Sequence, residues 1–233
     1  MTTAIVLDLD DTLYLEDTYV RSGIAWISTW LERETGLAGF EAEAEALRGI
    51  GVRDRLFDRT LLRLGIMPDP AFIDILVAKY RSHPPSIALA PDAQAFLARD
   101  HGFALALITD GYAVAQRAKI AALGLDRFPI DPMICTDEWG ADYWKPHARA
   151  FETVEASRAG GCDAFVYVAD NPAKDFVAPR KLGWRTVQID RPGAVHPRLS
   201  PVASHNADTH IASFDELTHA LLERLPCPAR MAG

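Results

Sequence analysis

Cysteine is scarce in this chain: 233 residues contain three, Cys135, Cys162 and Cys227, and no two stand at CxxC spacing. A disulfide framework or a structural zinc site is therefore not expected, and a reducing cytoplasm is the expected home. The seven histidines are scattered and make no HExxH or similar ligand spacing, which argues against an imidazole-built metal site. Basic charge is short as well. Lysine and arginine number 24 against 32 aspartates and glutamates, for a net charge of −8 and a pI near 5.3. That balance speaks against nonspecific binding to nucleic acid or to an anionic membrane surface. It leaves an anionic substrate open, because a bound cation inverts the local field. Long apolar runs are missing too. None approaches the roughly 20 residues a bilayer-spanning helix needs, and Ala4–Leu7, with no basic segment before it, is too short for a signal peptide.

What the chain does have is core-forming material. Its 49% hydrophobic content suits one large domain, or one domain carrying a smaller insertion. Four short runs are apolar throughout: AIVLD at 4–8, FALALIT at 103–109, AFVYVAD at 164–170 and RTVQID at 185–190. Strands without alternation are covered on both faces, as in a parallel sheet between helices. PMICT at 132–136 and THIAS at 209–213 are weaker strand candidates. Helical patterns near 91–100, 112–123, 147–158, 174–182 and 214–224 alternate with the strands. The expected fold class is α/β, a parallel sheet flanked by helices.

One stretch breaks the alternation. Residues 17–83 carry only helical periodicity, in VRSGIAWISTWLERETG, FEAEAEALRG, VRDRLFDRTLLRLG and PAFIDILVAKYRSH. The expected organisation is a core of residues 1–16 and 84–233 with an all-helical subdomain at 17–83, and Pro84, Pro85 and Pro91 punctuating the return. RPGAVHPRLSP at 191–201 reads as a loop.

Acidic residues gather where ligands of open α/β sheets bind, outside the carboxyl ends of the strands. Asp8 and Asp10 end the first apolar run, Thr109-Asp110-Gly111 ends the second, and Asp170 ends the third with Asp175 five residues on. A single aspartate after a strand is commonly a helix cap or a turn residue. That reading serves Asp92, Asp131 and Asp215, and equally Asp11 and Asp110. It does not serve Asp8, Asp10 and Asp170 jointly, because carboxylates crowded at one edge raise one another's pKa unless something positive compensates. Mg²⁺ prefers such oxygen ligands, and Lys145 would add a second positive charge, with Asp175 to orient it. This set of charges suits a phosphoryl group. Asp8 is placed to act as nucleophile, and Asp10 to protonate the leaving oxygen and later activate water. Thr109 would hold phosphoryl oxygens, and the turn near Thr12 would offer backbone N–H donors.

These residues fall into an ordered set that resembles the haloacid dehalogenase-like (HAD) hydrolases. The family's DxDx[TV][LV] motif is matched by Asp8-Leu9-Asp10-Asp11-Thr12-Leu13, and its strand ending in Thr or Ser by LALITDG through Thr109. Its lysine before proline is matched by Lys145-Pro146, and its strand-terminal pair of acids by Asp170 and Asp175. The resemblance implies a Rossmann-like core, a C1-type cap at 17–83, Mg²⁺ held by Asp8, the Asp10 carbonyl and Asp170, and an aspartyl-phosphate intermediate on Asp8. Two departures stand out: Ala169 replaces the usual glycine, and GADYWKP spaces Gly140 from Lys145 more widely than Gly-x-x-Lys-Pro. Tyr143 and Trp144 within it read first as packing residues.

The expected activity is Mg²⁺-dependent hydrolysis of a small phosphorylated metabolite. A phosphomutase of the β-phosphoglucomutase type is the alternative. A dehalogenase would have no use for Asp10, since halide leaves without a proton, and an idle binding protein would not keep all four motifs. Residues expected at the substrate are Thr12, Asp110, Gly111 and Asn171, together with Tyr14 and Arg21; Glu16, Tyr19 and Trp26 are further candidates to face the leaving group.

Overall fold

The structure, a computed structural model, describes residues 2–226 and 230; Cys227 lies outside them. The chain divides into two compact units, residues 1–17 with 88–233 and residues 18–87.

The first unit is built on a six-stranded, all-parallel sheet. Its strands are β1 (Thr3–Leu7), β2 (Ala104–Thr109), β3 (Ile130–Cys135), β4 (Ala164–Ala169), β5 (Arg185–Ile189) and β6 (Thr209–Ile211), in the order β3-β2-β1-β4-β5-β6. The two weaker sequence candidates are thus both strands, at opposite edges. The chain starts in the middle of the sheet, builds outwards to β3, then returns to the other side of β1 at β4, so a strand-order switch falls between β1 and its neighbours. Burial explains the absence of alternation: Ala4, Ile5, Val6 and Leu7 are all fully buried, as both faces of a parallel sheet require.

Helices α5 (Pro91–Ala98), α6 (Ala113–Ala122), α7 (Arg149–Ser157), α8 (Val177–Lys181) and α9 (His219–Arg224) accompany these strands. On one side Ala150, Phe151 and Val154 of α7 join Val6, Ile108 and Tyr167 in a core cluster that includes buried Trp184; its indole N–H donates to Glu155 Oε1 at 2.8 Å, satisfying the one polar atom of a large apolar ring. Gly124 follows α6 with φ +62°, a left-handed conformation that costs a side-chain-bearing residue more. The helix expected at 174–182 is shorter, because residues 171–175 are spent on a tight turn in which Asp175 N–H donates to Asn171 O. The pattern at 214–224 divides into a 3₁₀ turn at Phe214–Glu216, capped by Ser213, and α9, capped by Thr218.

The second unit is helical. It holds most of α1 (Glu16–Thr35), then α2 (Phe40–Gly49), α3 (Leu56–Arg63) and α4 (Pro70–Ser82). Ile24, Ile27 and Leu31 recur at helical spacing on α1 and pack with Phe40, Leu61 and Leu76, the amphipathic stripe that makes each of these helices bury one face. Pro70 opens α4 and Asp69 caps it, its carboxylate accepting from Phe72 N–H at 3.2 Å. Among the described residues no helix is long and apolar enough to cross a membrane.

Of the three aspartates expected to serve as helix caps or turn residues, Asp215 lies in a 3₁₀ turn and Asp92 in a helical first turn, neither at the cap position itself, and Asp131 fits neither role. Asp131 lies within β3. Asp215 follows the capping residue Ser213. Asp92 sits in the first turn of α5, where its two oxygens take a fork of bonds from the Arg191 guanidinium at 2.9 and 3.2 Å.

Candidate active site

Asp8, Thr109 and Asp170 stand at the carboxyl ends of three neighbouring strands, β1, β2 and β4. Asp8 continues the ladder one residue past β1, its N–H donating to Val168 O at 2.9 Å. This fixes the backbone of the first acid before its side chain makes any contact.

Lys145 reaches this edge from the loop after β3. Its ammonium lies 2.9 Å from Asp8 Oδ1 and 2.8 Å from Asp175 Oδ1, and donates to the Tyr167 hydroxyl at 2.9 Å. The side chain is 1% exposed. Burial alone would lower its pKa, but Asp175 and Asp8 outweigh it and hold the lysine charged, well above its ordinary value. Ligand oxygens of Asp8, Asp170 and Asp175 fall within 4.8 Å of one another. One lysine does not compensate three such acids. Burial, with the charge of Asp175, raises Asp8 to about 7 against the pull of Lys145. Burial and the charges of Asp8 and Asp175 raise Asp170 to about 9. Asp170 Oδ2 is buried with no hydrogen-bond partner among the described residues. Crowded buried carboxylates with an unsatisfied oxygen are a donor set that fits a hard divalent cation.

Asp10 has an entirely different setting. Oδ1 accepts from the Tyr14 hydroxyl and from Lys119 Nζ, the latter at 2.7 Å. Oδ2 accepts from Gln116 Nε2 at 2.9 Å. Burial raises its pKa, yet Lys119 and the bonds from Lys119, Tyr14 and Gln116 bring it below the ordinary carboxylate value. Its carboxylate is therefore outside the acid cluster, which takes in Asp175 instead.

Asp11 is more than a turn residue. It adopts φ +49°, and its carboxylate accepts from Glu16 N–H at 2.8 Å and Val195 N–H at 3.0 Å, pinning the 191–201 loop to the first motif. Arg191 adds a second tie, donating from Nε to Thr12 O at 2.6 Å while it grips Asp92. The Thr12 and Leu13 N–H groups both turn back onto Leu9 O, so neither is the free donor that the sequence suggested. The Thr12 hydroxyl is buried, with no hydrogen-bond partner among the described residues.

A cavity of about 200 Å³ opens beside these groups, and Asp8, Asp10, Asp110, Gly111, Asp170 and Asn171 line it. Thr109 and Lys145 are buried, and the Thr109 hydroxyl accepts from Gln116 Nε2. Asp110 accepts from Lys174 Nζ and Thr136 Oγ1, both at 2.7 Å, and from Lys145 N–H at 3.1 Å. Burial pushes its pKa up, but Lys145 and Lys174 win and hold it low. Gly111 has φ +111°, which lets the chain turn sharply after β2. Asn171 closes the next turn, accepting from Ala173 N–H at 3.0 Å and donating its own N–H to Asp175 Oδ2 at 3.0 Å. Arg21 belongs to the helical unit, where it pairs with Glu45 at 3.7 Å. Tyr19 and Trp26 belong there as well, ring-packed with His83.

Several lining or contacting residues were not anticipated. Lys174 brings an ammonium to the cavity, and His196, from the loop, shares a 3.2 Å bond with the Asn171 amide. Gln116 and Lys119 lie on α6, which reads as an ordinary surface helix until its polar residues prove buried, at 1% and 4% exposure. Glu16, by contrast one of the residues named from sequence, also lines the cavity, raised to about 7 by burial and the neighbouring acids. Trp144 lines it too, its indole N–H held by Asp137 Oδ1 at 3.1 Å, whereas Tyr143 packs between Trp139, His147 and Arg149.

Known proteins share both the sequence pattern and the fold. A family model described as haloacid dehalogenase-like hydrolase matches residues 2–183. A glyceraldehyde 3-phosphate phosphatase of Methanopyrus kandleri is 32% identical over 82% of this chain and 85% of its own. A phosphoserine phosphatase of Thermus thermophilus is 30% identical over 80% of this chain and 88% of its own. Among solved structures, the HAD-hydrolase YfnB of Bacillus subtilis, bound to magnesium, superposes with a TM-score of 0.63 at 19% identity, covering 94% of this chain and 98% of that one. With the four motifs in place on the sheet edge and a family match over most of its length, the chain belongs to the haloacid dehalogenase-like hydrolases.

Proposed function

We propose that this hydrolase is a Mg²⁺-dependent phosphatase that cleaves a small phosphate monoester through a phosphorylated Asp8. One observation carries the reading: two carboxylates two residues apart occupy opposite environments. Asp8 sits with Lys145 in the acid cluster, and Asp10 sits with Lys119, Gln116 and Tyr14. Such a division assigns separate tasks to chemically identical groups.

Asp8, Asp170 and the Asp10 backbone carbonyl would hold Mg²⁺, with Asp175 close by. When bound, the ion supplies charge neutralisation for the phosphoryl oxygens and the clustered acids. Lys145 orients and partly neutralises Asp8, so that the carboxylate can approach an anionic phosphoryl group. The negative charge of a bound phosphoryl group favours uptake of a proton by Asp10, which is otherwise held as a carboxylate. Asp8 attacks phosphorus, the ester P–O bond breaks, and that proton passes to the leaving oxygen. In the second half Asp10 takes a proton from water, the water oxygen attacks phosphorus, and Asp8 leaves as a carboxylate. Asp10 also argues against halide release, which needs no proton donor.

The cavity of about 200 Å³ is below the roughly 300–1,000 Å³ of sites for larger ligands, in keeping with a small metabolite. The named substrates of the two curated relatives, glyceraldehyde 3-phosphate and phosphoserine, are of that kind. The test is phosphate release from a panel of phosphorylated metabolites that begins with these two, with and without Mg²⁺. Metal-dependent release from at least one ester is expected. No release from any ester, with folded protein and metal present, would refute the proposal.

A further inference from the structure

Helix α6 places two buried polar side chains on Asp10. Gln116 and Lys119 are three residues apart and so share one helix face. Lys119 Nζ reaches Asp10 Oδ1 at 2.7 Å, and Gln116 Nε2 reaches Oδ2 at 2.9 Å while also donating to the Thr109 hydroxyl. Burying a lysine and an amide in the middle of a helix is costly without firm partners, so a purely architectural face would be apolar.

The lone pairs of Asp10 make the arrangement specific. Each oxygen of a carboxylate can accept two bonds. Oδ1 already takes two, from Tyr14 and Lys119. Oδ2 takes one from a described residue, Gln116. The clamp therefore orients the carboxylate with Oδ2 as the oxygen that retains room for a proton.

We propose that Lys119 and Gln116 are positioning residues for the acid/base step, holding Asp10 so that Oδ2 hands the proton to the leaving oxygen. The inference rests on the phosphatase reading above. In the step, the ester P–O bond breaks as the Asp8–P bond forms. The Oδ2–H proton moves to the departing oxygen, and Asp10 is left as a carboxylate that the same donors hold for the attack of water.

A bystander and a positioning residue differ in what they do to leaving groups. Alkyl and phenyl esters need a proton at the departing oxygen, and 2,4-dinitrophenyl phosphate scarcely does. We would measure kcat/KM for glycerol phosphate, phenyl, 4-nitrophenyl and 2,4-dinitrophenyl phosphates with wild type, Lys119→Met, Gln116→Leu and Asp10→Asn, all with Mg²⁺. For Lys119→Met the loss on the alkyl and phenyl esters should exceed the loss on the dinitrophenyl ester by about tenfold or more, within the roughly 10²–10⁴-fold worth of a general acid. Gln116→Leu should tilt the series the same way, Asp10→Asn should tilt it further, and Lys119→Arg should restore much of the wild-type slope. An equal loss on every ester, or no loss, overturns the inference while the phosphatase reading stands. Should Lys119→Met fail to fold, the slope of Gln116→Leu decides the matter alone, an unchanged slope counting against the inference. A wild type that hydrolyses none of the esters or the metabolite panel overturns both.

Discussion

Lys145 Nζ stands between Asp8 Oδ1 at 2.9 Å and Asp175 Oδ1 at 2.8 Å. A single buried cation is thus shared by the candidate nucleophile and by an acid 167 residues further along the chain. Coulomb attraction at such distances is strong in a low-dielectric interior, but so is the cost of removing each charge from water. The arrangement holds because every member has a partner, and its weak point is the loss of any one.

Replacing Asp8 by Asn keeps the volume and removes the nucleophile. Turnover of any ester should fall by at least about 10³-fold, while circular dichroism stays that of the wild type. Substantial remaining activity would refute a covalent role for Asp8.

Lys145→Met should behave in the opposite sense on stability. It leaves Asp8 and Asp175 facing each other without a counter-charge, and breaking a buried pair in this way costs about 3–5 kcal/mol. Denaturant unfolding measured without metal reads the loss directly. A change under about 1 kcal/mol would mean that the acids had found other compensation.

Metal should act on stability as well as on rate. A cation that binds the folded chain alone raises its melting temperature with concentration, and EDTA should abolish both that rise and phosphate release. Asp170→Asn should remove most of the Mg²⁺-dependent shift and leave the metal-free protein no less stable, since it deletes a buried carboxyl group that neighbouring acids repel and whose Oδ2 has no hydrogen-bond partner among the described residues. A full Mg²⁺ shift in Asp170→Asn would exclude this acid as a ligand.

The acid limb of stability should carry a contribution from Asp92. Burial pushes its pKa up, but the Arg191 fork and the Phe214 N–H bond outweigh it, so the folded value lies below the ordinary one. A carboxyl lowered on folding stabilises above its unfolded pKa of about 3.9 and loses that contribution as pH falls through the folded value. The stability difference between wild type and Asp92→Asn should hence be constant from about pH 6 to 8 and shrink below about pH 4. A gap that stays constant to pH 2 would assign the effect to packing.

Much of the sheet was legible from local pattern. Runs such as AIVLD and AFVYVAD are apolar on both faces, and only a strand buried on both faces calls for that. The second and fourth motifs were legible for the same reason: a polar residue ending a buried strand has no other place to go than the sheet edge. Element ends were less legible. The helix at 174–182 lost its first turn to hydrogen bonds between Asn171 and Asp175 that no periodicity encodes. The ion pair of Asp92 was not legible locally, because its partner, Arg191, lies 99 residues away.

The same division runs through the site. Local sequence by itself determined which acids stand at the strand ends, since β1 and β4 must stop where their apolar runs stop. Tertiary structure decided what each acid does there. Asp8 and Asp10 are two residues apart and alike in sequence, but Asp8 falls among buried acids and Lys145, and Asp10 falls against Lys119 and Gln116 of α6. A carboxylate's chemistry is set by the charges and donors within a few ångströms, and those neighbours come from chain segments more than a hundred residues away, so only the packing of the sheet and its helices could assign them.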